Sequence, residues 1–322
     1  MQAVQTTNPG LNARTMELVR LMKRDQESLR VNFHTAEGDG TFIDCGVKAD
    51  GGFQAGILLA GCTMGNLATI QMTSSHLNGF HGASIQVQTD HPVLSCLASQ
   101  YAGWQIAVDD FFAMGSGPMR AHYAGEELFK HIPGREQATE VVGVLETSAI
   151  PKKGVFEYLA NKMKVSPSQI TLLGASTGSV AGSMQIVSRS VETALHKLHE
   201  LKFPIECIHH GVGWAPLPPP TPKFTQAIGR TNDAILYGGL VHLWVHTEDE
   251  ILEQIGSKVP ACASGDYGAP FEEIFRRVNG DFYKIDPMLF SPAKICFMNQ
   301  KTGKSLTFGK FDTDLLTKSW GR

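Results

Sequence analysis

Residues 169–201 read QITLLGASTGSVAGSMQIVSRSVETALHKLHEL. Gln169 to Leu173 is an aliphatic, β-prone stretch that predicts a short strand, and the following GASTGSVAGS is built of glycine, serine, threonine and other small residues. Apolar residues then recur at helical spacing, at Val180, Met184, Val187, Val191, Ala194 or Leu195, Leu198 and Leu201. A strand, a small-residue turn and one amphipathic helix are expected, the helix anchored in a core by its stripe. On the opposite side Gln185, Arg189, Glu192 and His196 stand four, three and four apart, which aligns them along the helix.

A polar line of this kind is ordinarily a solvated face, where an Arg/Glu pair contributes only roughly 0.2 to 0.5 kcal/mol. The helix entry favours a different reading. Gly174, Gly178 and Gly182 fall among Ser176, Thr177, Ser179 and Ser183, and a glycine inside a helix costs roughly 1 kcal/mol against alanine. Small residues let a ligand approach the backbone, and hydroxyls with unpaired amides at a helix start favour an anion. Ser176, Thr177, Gly178 and Ser179 are therefore expected to bind substrate. Gln185 either positions a ligand or is a surface glutamine; His196 caps the polar face or meets solvent.

Of the 322 residues 42% are hydrophobic and 18% charged, with 33 glycines, a balance that suggests a compact enzyme rich in tight turns. The length makes about two domains the default. A formal net charge of -3 lacks the basic footprint of a nucleic-acid binder. No stretch approaches the roughly 18 uninterrupted apolar residues of a membrane span, and a cytoplasmic protein is expected. The six cysteines are scattered without a C-x-x-C pair, so reduced thiols are expected rather than disulfides or a zinc site.

Leu11 to Leu29 reads as an amphipathic helix, 29–47 and 53–88 as short strands cut by Gly and Asn, and the segment after Asp90-His91-Pro92 as a helix through Ser99. The proline-rich 214–222 is expected to be a loop, since proline suits neither a helix interior nor a central strand. Leu240 to His246 alternates as a strand, and 281–287 reads as extended. The GKS at 303–305 has Met298 where a phosphate loop needs glycine. Arg120, after the Gly115-Ser116-Gly117 turn, meets either an anionic or carbonyl group of the substrate or a structural carboxylate.

Five segments resemble methenyltetrahydromethanopterin cyclohydrolases, in the same order along nearly the whole chain: 89–105 (TDHPVLSCLASQYAGWQ), 111–120 (FFAMGSGPMR), 181–197 (AGSMQIVSRSVETALHK), 229–239 (GRTNDAILYGG) and 279–293 (NGDFYKIDPMLFSPA). The resemblance implies an α+β fold of two mixed helix/sheet domains with the substrate in a cleft between them, set here at 1–150 and 151–322, the second carrying the catalytic helix and each either continuous or discontinuous in sequence. It also implies a homotrimer of one-carbon metabolism, in formaldehyde oxidation or methanogenesis, with no prosthetic group and no metal. Its substrate is a tetrahydromethanopterin derivative, the 5,10-methenyl cation, converted reversibly to the 5-formyl compound. The family's R-x-x-E motif falls on Arg189 and Glu192, and Gln100 within the matching 89–105 segment is expected at the substrate.

Three positions depart from the family pattern: Ser188 stands where archaeal relatives have Gly and leaves the charged pair intact, Tyr101 where archaeal members have Lys, and Gly265 where relatives have Arg; the last two imply that the anionic tail is held differently, or for Gly265 that a subunit contact changes. The chemistry suits the motif. A carbon between two nitrogens that share a positive charge is already electrophilic and lacks only a base, which assigns Glu192 to proton transfer. Arg189 is expected to hold Glu192 and to lower its pKa against burial. Two other readings are a metal-dependent deaminase or amidohydrolase, which a chelator would silence, and a pterin carrier that binds without turnover.

Overall fold

The computed structural model describes residues 10–36, 40–75, 77 and 80–321; sequence readings that touch 1–9, 37–39, 76, 78–79 and 322 lie outside the described residues. The fold is α+β, with two mixed sheets of six strands each. In the first, β1 (Asn32–Thr35), β2 (Thr41–Gly46), β8 (Ile170–Ala175), β7 (Val141–Glu146), β6 (Phe111–Ser116) and β5 (Trp104–Val108) lie side by side in that order. In the second the order is β12 (Ser305–Gly309), β11 (Lys294–Asn299), β10 (Leu240–Val245), β9 (Ile208–Pro216), β4 (Ala83–Thr89) and β3 (Thr69–Ser74).

The middle of the first sheet is parallel: β8 runs with β2 on one side and with β7 on the other. Parallel strands are covered on both faces, which is why VVGVL and ITLL are nearly unbroken apolar runs. Ile43, Val144 and Leu173 face Met22 and Leu59 of the Leu11–Arg24 and Phe53–Thr63 helices. Phe42, Leu145 and Leu172 face Phe156 and Leu159 of the Lys153–Met163 helix on the other side. The second sheet buries one face, through Ala215, Val241, Leu243 and Ile295, under Val191, Leu195 and Leu198 and the Phe224–Gly238 helix. Its other face leaves Val212, Trp214, His242 and Trp244 half-buried.

The sheets interleave in sequence. The first takes its strands from 32–46 and 104–175, the second from 69–89 and 208–309. The ladder between β7 and β8 crosses 150/151, so a cut there would split the first sheet rather than separate two domains. Among the described residues no helix is long and apolar enough to cross a membrane.

Three local expectations change. Residues 53–63 form a helix, not a strand, because this segment is buried nearly all round and has no polar side to reveal its period. The first of its two glycines has a packing reason: a Cβ on Gly56 would stand 2.8 Å from Met184 Sδ and 3.1 Å from Ala181 Cα. Trp214, Ala215 and Pro216 are not loop but the end of β9, a central strand, with proline tolerated at its last position. Residues 282–284 coil into a 3-10 turn and Ile285 is buried, so 281–287 is not extended.

Candidate active site

The expected single helix is two: Val180–Val187 and Ser190–Glu200, with Ser188 and Arg189 between them. The Ser188 hydroxyl donates to the Gln185 carbonyl at 2.7 Å, and Arg189 N donates to Ile186 O at 3.0 Å, a tightened turn that ends the first helix. Thr193 N then donates to Arg189 O at 2.9 Å and starts the second. Gln100 reinforces the break, its Nε2 donating to Ser188 O at 3.4 Å and Ser188 Oγ at 3.3 Å. The first helix leaves the end of β8 and the second lies on β9, where Gly211 and Gly213 make room for Val191 and Ser190. Arg189 therefore sits where the chain passes from one sheet to the other.

Its guanidinium is buried, with Nη1 donating to the Gln100 carbonyl and Nη2 to Ser116 Oγ at 3.2 Å and Gln185 Oε1 at 3.1 Å. Gln185 is thus a buried partner of Arg189, not a surface residue. The expected clamp on Glu192 is absent: among the described residues no hydrogen bond or ion pair joins Arg189 to Glu192. The guanidinium instead reaches back to the end of the Val93–Gln100 π-helix and to β6, and acts on Glu192 through space.

Glu192 is 5% exposed, and among the described residues its carboxyl has no hydrogen-bond partner. Burial raises its pKa to about 7, against the opposing charges of Arg189 and Arg120. Desolvation wins, where the sequence reading expected the cation to keep the group ionised. Because the folded state holds this proton more tightly than the unfolded chain does, the group's effect on stability is nil below about pH 4.5 and turns increasingly unfavourable as pH rises toward 7. A carboxyl balanced near neutrality can both accept and return a proton.

Arg120 is fully buried and committed to structure. Its Nε and Nη2 donate to the two oxygens of Glu126 at 2.7 Å each, and its Nη1 to Leu97 O at 2.8 Å and Ser99 O at 3.3 Å. Its ring neighbours are Tyr101 at 5.1 Å and Phe129 at 5.4 Å. Substrate contact would require breaking the bidentate pair, so Arg120 contributes charge rather than a donor. Tyr101 stacks on His196 with centroids 4.7 Å apart, and burial holds that imidazole below its ordinary pKa, so His196 is packed against Tyr101 rather than open to solvent.

The small-residue turn is likewise used by the chain itself. Ser179 caps the first helix, accepting from Gly182 N at 3.0 Å and donating to Ser176 O at 2.8 Å. A Cβ on Gly178 would stand 2.3 Å from the Thr221 carbonyl, and one on Gly182 1.9 Å from the Ser176 carbonyl. These glycines admit backbone, where the sequence reading assigned them to a ligand. Gly182→Ala is accordingly expected to lower stability by about 1–3 kcal/mol, read as a fall in the midpoint of thermal unfolding, despite alanine's better helix propensity.

Gln100 is fully buried, and among the described residues its Oε1 has no partner. Thr177 donates its hydroxyl to Glu146 Oε1 at 2.6 Å. Glu146 and Ser116 were not singled out from sequence as site residues. The signal for Glu146 was present, since it is a carboxylate that closes the apolar run of β7 at the carboxyl end of a parallel strand, where ligands gather in such sheets.

Two cavities, of about 700 and 420 Å³, follow the rim of the second sheet, around Asp90, His91 and His210. Neither is lined by Arg189 or Glu192. Among the described residues no three His, Cys, Asp or Glu side chains converge as metal ligands would.

The family model described as Cyclohydrolase (MCH) matches residues 10–320. A Methylobacillus flagellatus protein named methenyltetrahydromethanopterin cyclohydrolase is 44% identical over 313 residues, 97% of this chain and 96% of its own. Proteins of the same name from Xanthobacter autotrophicus and Methanosarcina mazei are 45% identical over 304 residues (94% of this chain, 90% of theirs) and 39% over 298 (92% and 93%).

Proposed function

The chain belongs to the MCH cyclohydrolase family, and on that premise we propose that it hydrolyses a 5,10-methenyltetrahydropterin cation of the tetrahydromethanopterin type to the 5-formyl compound, reversibly, with Glu192 moving the proton. The observation that carries this is Glu192 itself: a carboxyl nine-tenths buried, with no hydrogen-bond partner among the described residues, and poised near neutral pH. A structural glutamate would be paired.

Water adds through oxygen to the carbon between the two ring nitrogens while Glu192 takes one of its protons, which turns the cation into a neutral carbinolamine. The same proton then passes from Glu192 to N10 as the carbon–N10 bond breaks, and the hydroxyl proton leaves to solvent as the formyl C=O forms. One proton is released per turnover. Arg189 keeps the ionised form of Glu192 accessible, and Gln185, Ser116 and the Gln100 carbonyl fix the guanidinium. The substrate occupies a cleft between the two sheets, at the passage where the helix breaks, and the working particle is a cytoplasmic homotrimer without a prosthetic group.

The direct test follows the methenyl absorbance with purified protein, with the folate analogue in parallel and a chelator in a third arm. Turnover that survives chelation supports this reading. Binding without loss of absorbance would make the protein a carrier, and chelator-sensitive turnover would make it a metallohydrolase. The pH dependence has a defined sign. In the free enzyme, kcat/KM for hydrolysis rises as pH increases through about 7, because the base must be ionised, whereas cyclisation of the formyl compound falls over the same interval. Parallel pH–rate profiles in both directions check it.

A further inference from the structure

Glu146 ends β7, and its register places it on the face of the first sheet that also carries Ser116, the residue to which Arg189 donates. Thr177, buried just past the end of β8, ties down one carboxylate oxygen at 2.6 Å and leaves the other without a hydrogen-bond partner among the described residues. Arg189 feels the negative charges of both Glu192 and Glu146. Glu146 therefore shares a sheet face with the serine that holds the guanidinium, within reach of its charge.

From this placement we infer that Glu146 is the residue that selects the pterin, receiving the two parallel N–H donors of its 2-amino-pyrimidinone edge while Glu192 works at the cationic carbon. The inference rests on the cyclohydrolase reading. Its chemical basis is separate: an amino group beside a ring N–H offers the paired donors that a carboxylate accepts side by side, and a carboxylate already oriented by Thr177 loses little freedom in doing so.

The test compares wild type, Glu146→Gln and Thr177→Val with the methenyl substrate and with an analogue lacking the 2-amino group. Glu146→Gln is expected to raise KM roughly 10- to 100-fold with kcat changed little, and to erase the preference of the wild type for the amino-bearing compound. Thr177→Val is expected to shift KM the same way by a smaller factor and provides the reading if the first variant does not fold. A loss confined to kcat, or a preference for the amino group that persists in both variants, overturns the inference. Equilibrium titration of both compounds into each protein separates the two claims: discrimination in binding tests Glu146 even if wild type fails to turn over the substrate.

Discussion

Glu192→Gln is expected to lower kcat by about 10³-fold in both directions while the protein folds as before. Glutamine has the shape of the protonated carboxyl, so the pocket that buries this side chain accepts it without a cavity. It cannot take the proton of the attacking water. Because the amide removes a carboxylate that burial disfavours, the variant should be no less stable than wild type near neutral pH and more stable above pH 7, where wild type must hold the ionised form. Unimpaired turnover in a folded variant would remove Glu192 from the mechanism. Stopped-flow absorbance and a pair of melting curves at pH 6 and pH 8 are sufficient measurements.

Arg120→Met is expected to have the largest effect on stability, a loss of roughly 3 kcal/mol or more. Glu126 keeps 16% of its side-chain exposure, against none for Arg120, and would be left with a mostly buried charge and no counter-ion. The carbonyls of Leu97 and Ser99 at the end of the π-helix would lose their donor too. Adding Glu126→Leu should return much of the loss, because the pair is costly to break and far less costly to replace whole. A separate readout concerns the site: without the Arg120 charge, Glu192 titrates higher and the pH–rate midpoint moves upward. Denaturant unfolding of the single and double variants, with pH–rate profiles, checks both.

The pair proposed to carry the chemistry was legible in sequence because Arg189 and Glu192 lie in a long, ordered resemblance and because a strand leads into their helix. Their environment was not. The break at Ser188 depends on Gln100, far away in sequence, and on a hydroxyl turning to its own helix carbonyl, neither of which alters the apolar periodicity. The glycines of the turn announced close approach correctly, but sequence cannot say whether the approaching group is a ligand or the Thr221 carbonyl. Arg120 illustrates the same limit, since its partner Glu126 is six residues on and joins it only because the Met119–Tyr123 helix ends between them. The α+β class could be read from mixed strand and helix signals joined to the resemblance, whereas the interleaving of the sheets required the pairing of β2 with β8 and β4 with β9.

That interleaving governs how the chain is made. β2 leaves the ribosome long before β8, its parallel neighbour, and β4 before β9; at ~5–20 residues per second each waits on the order of ten seconds for its partner. Neither half of the nascent polypeptide can therefore mature by itself. Apolar edges stay open through most of synthesis, so shielding by chaperones and an unhurried tempo of translation become part of what this gene requires to yield active product.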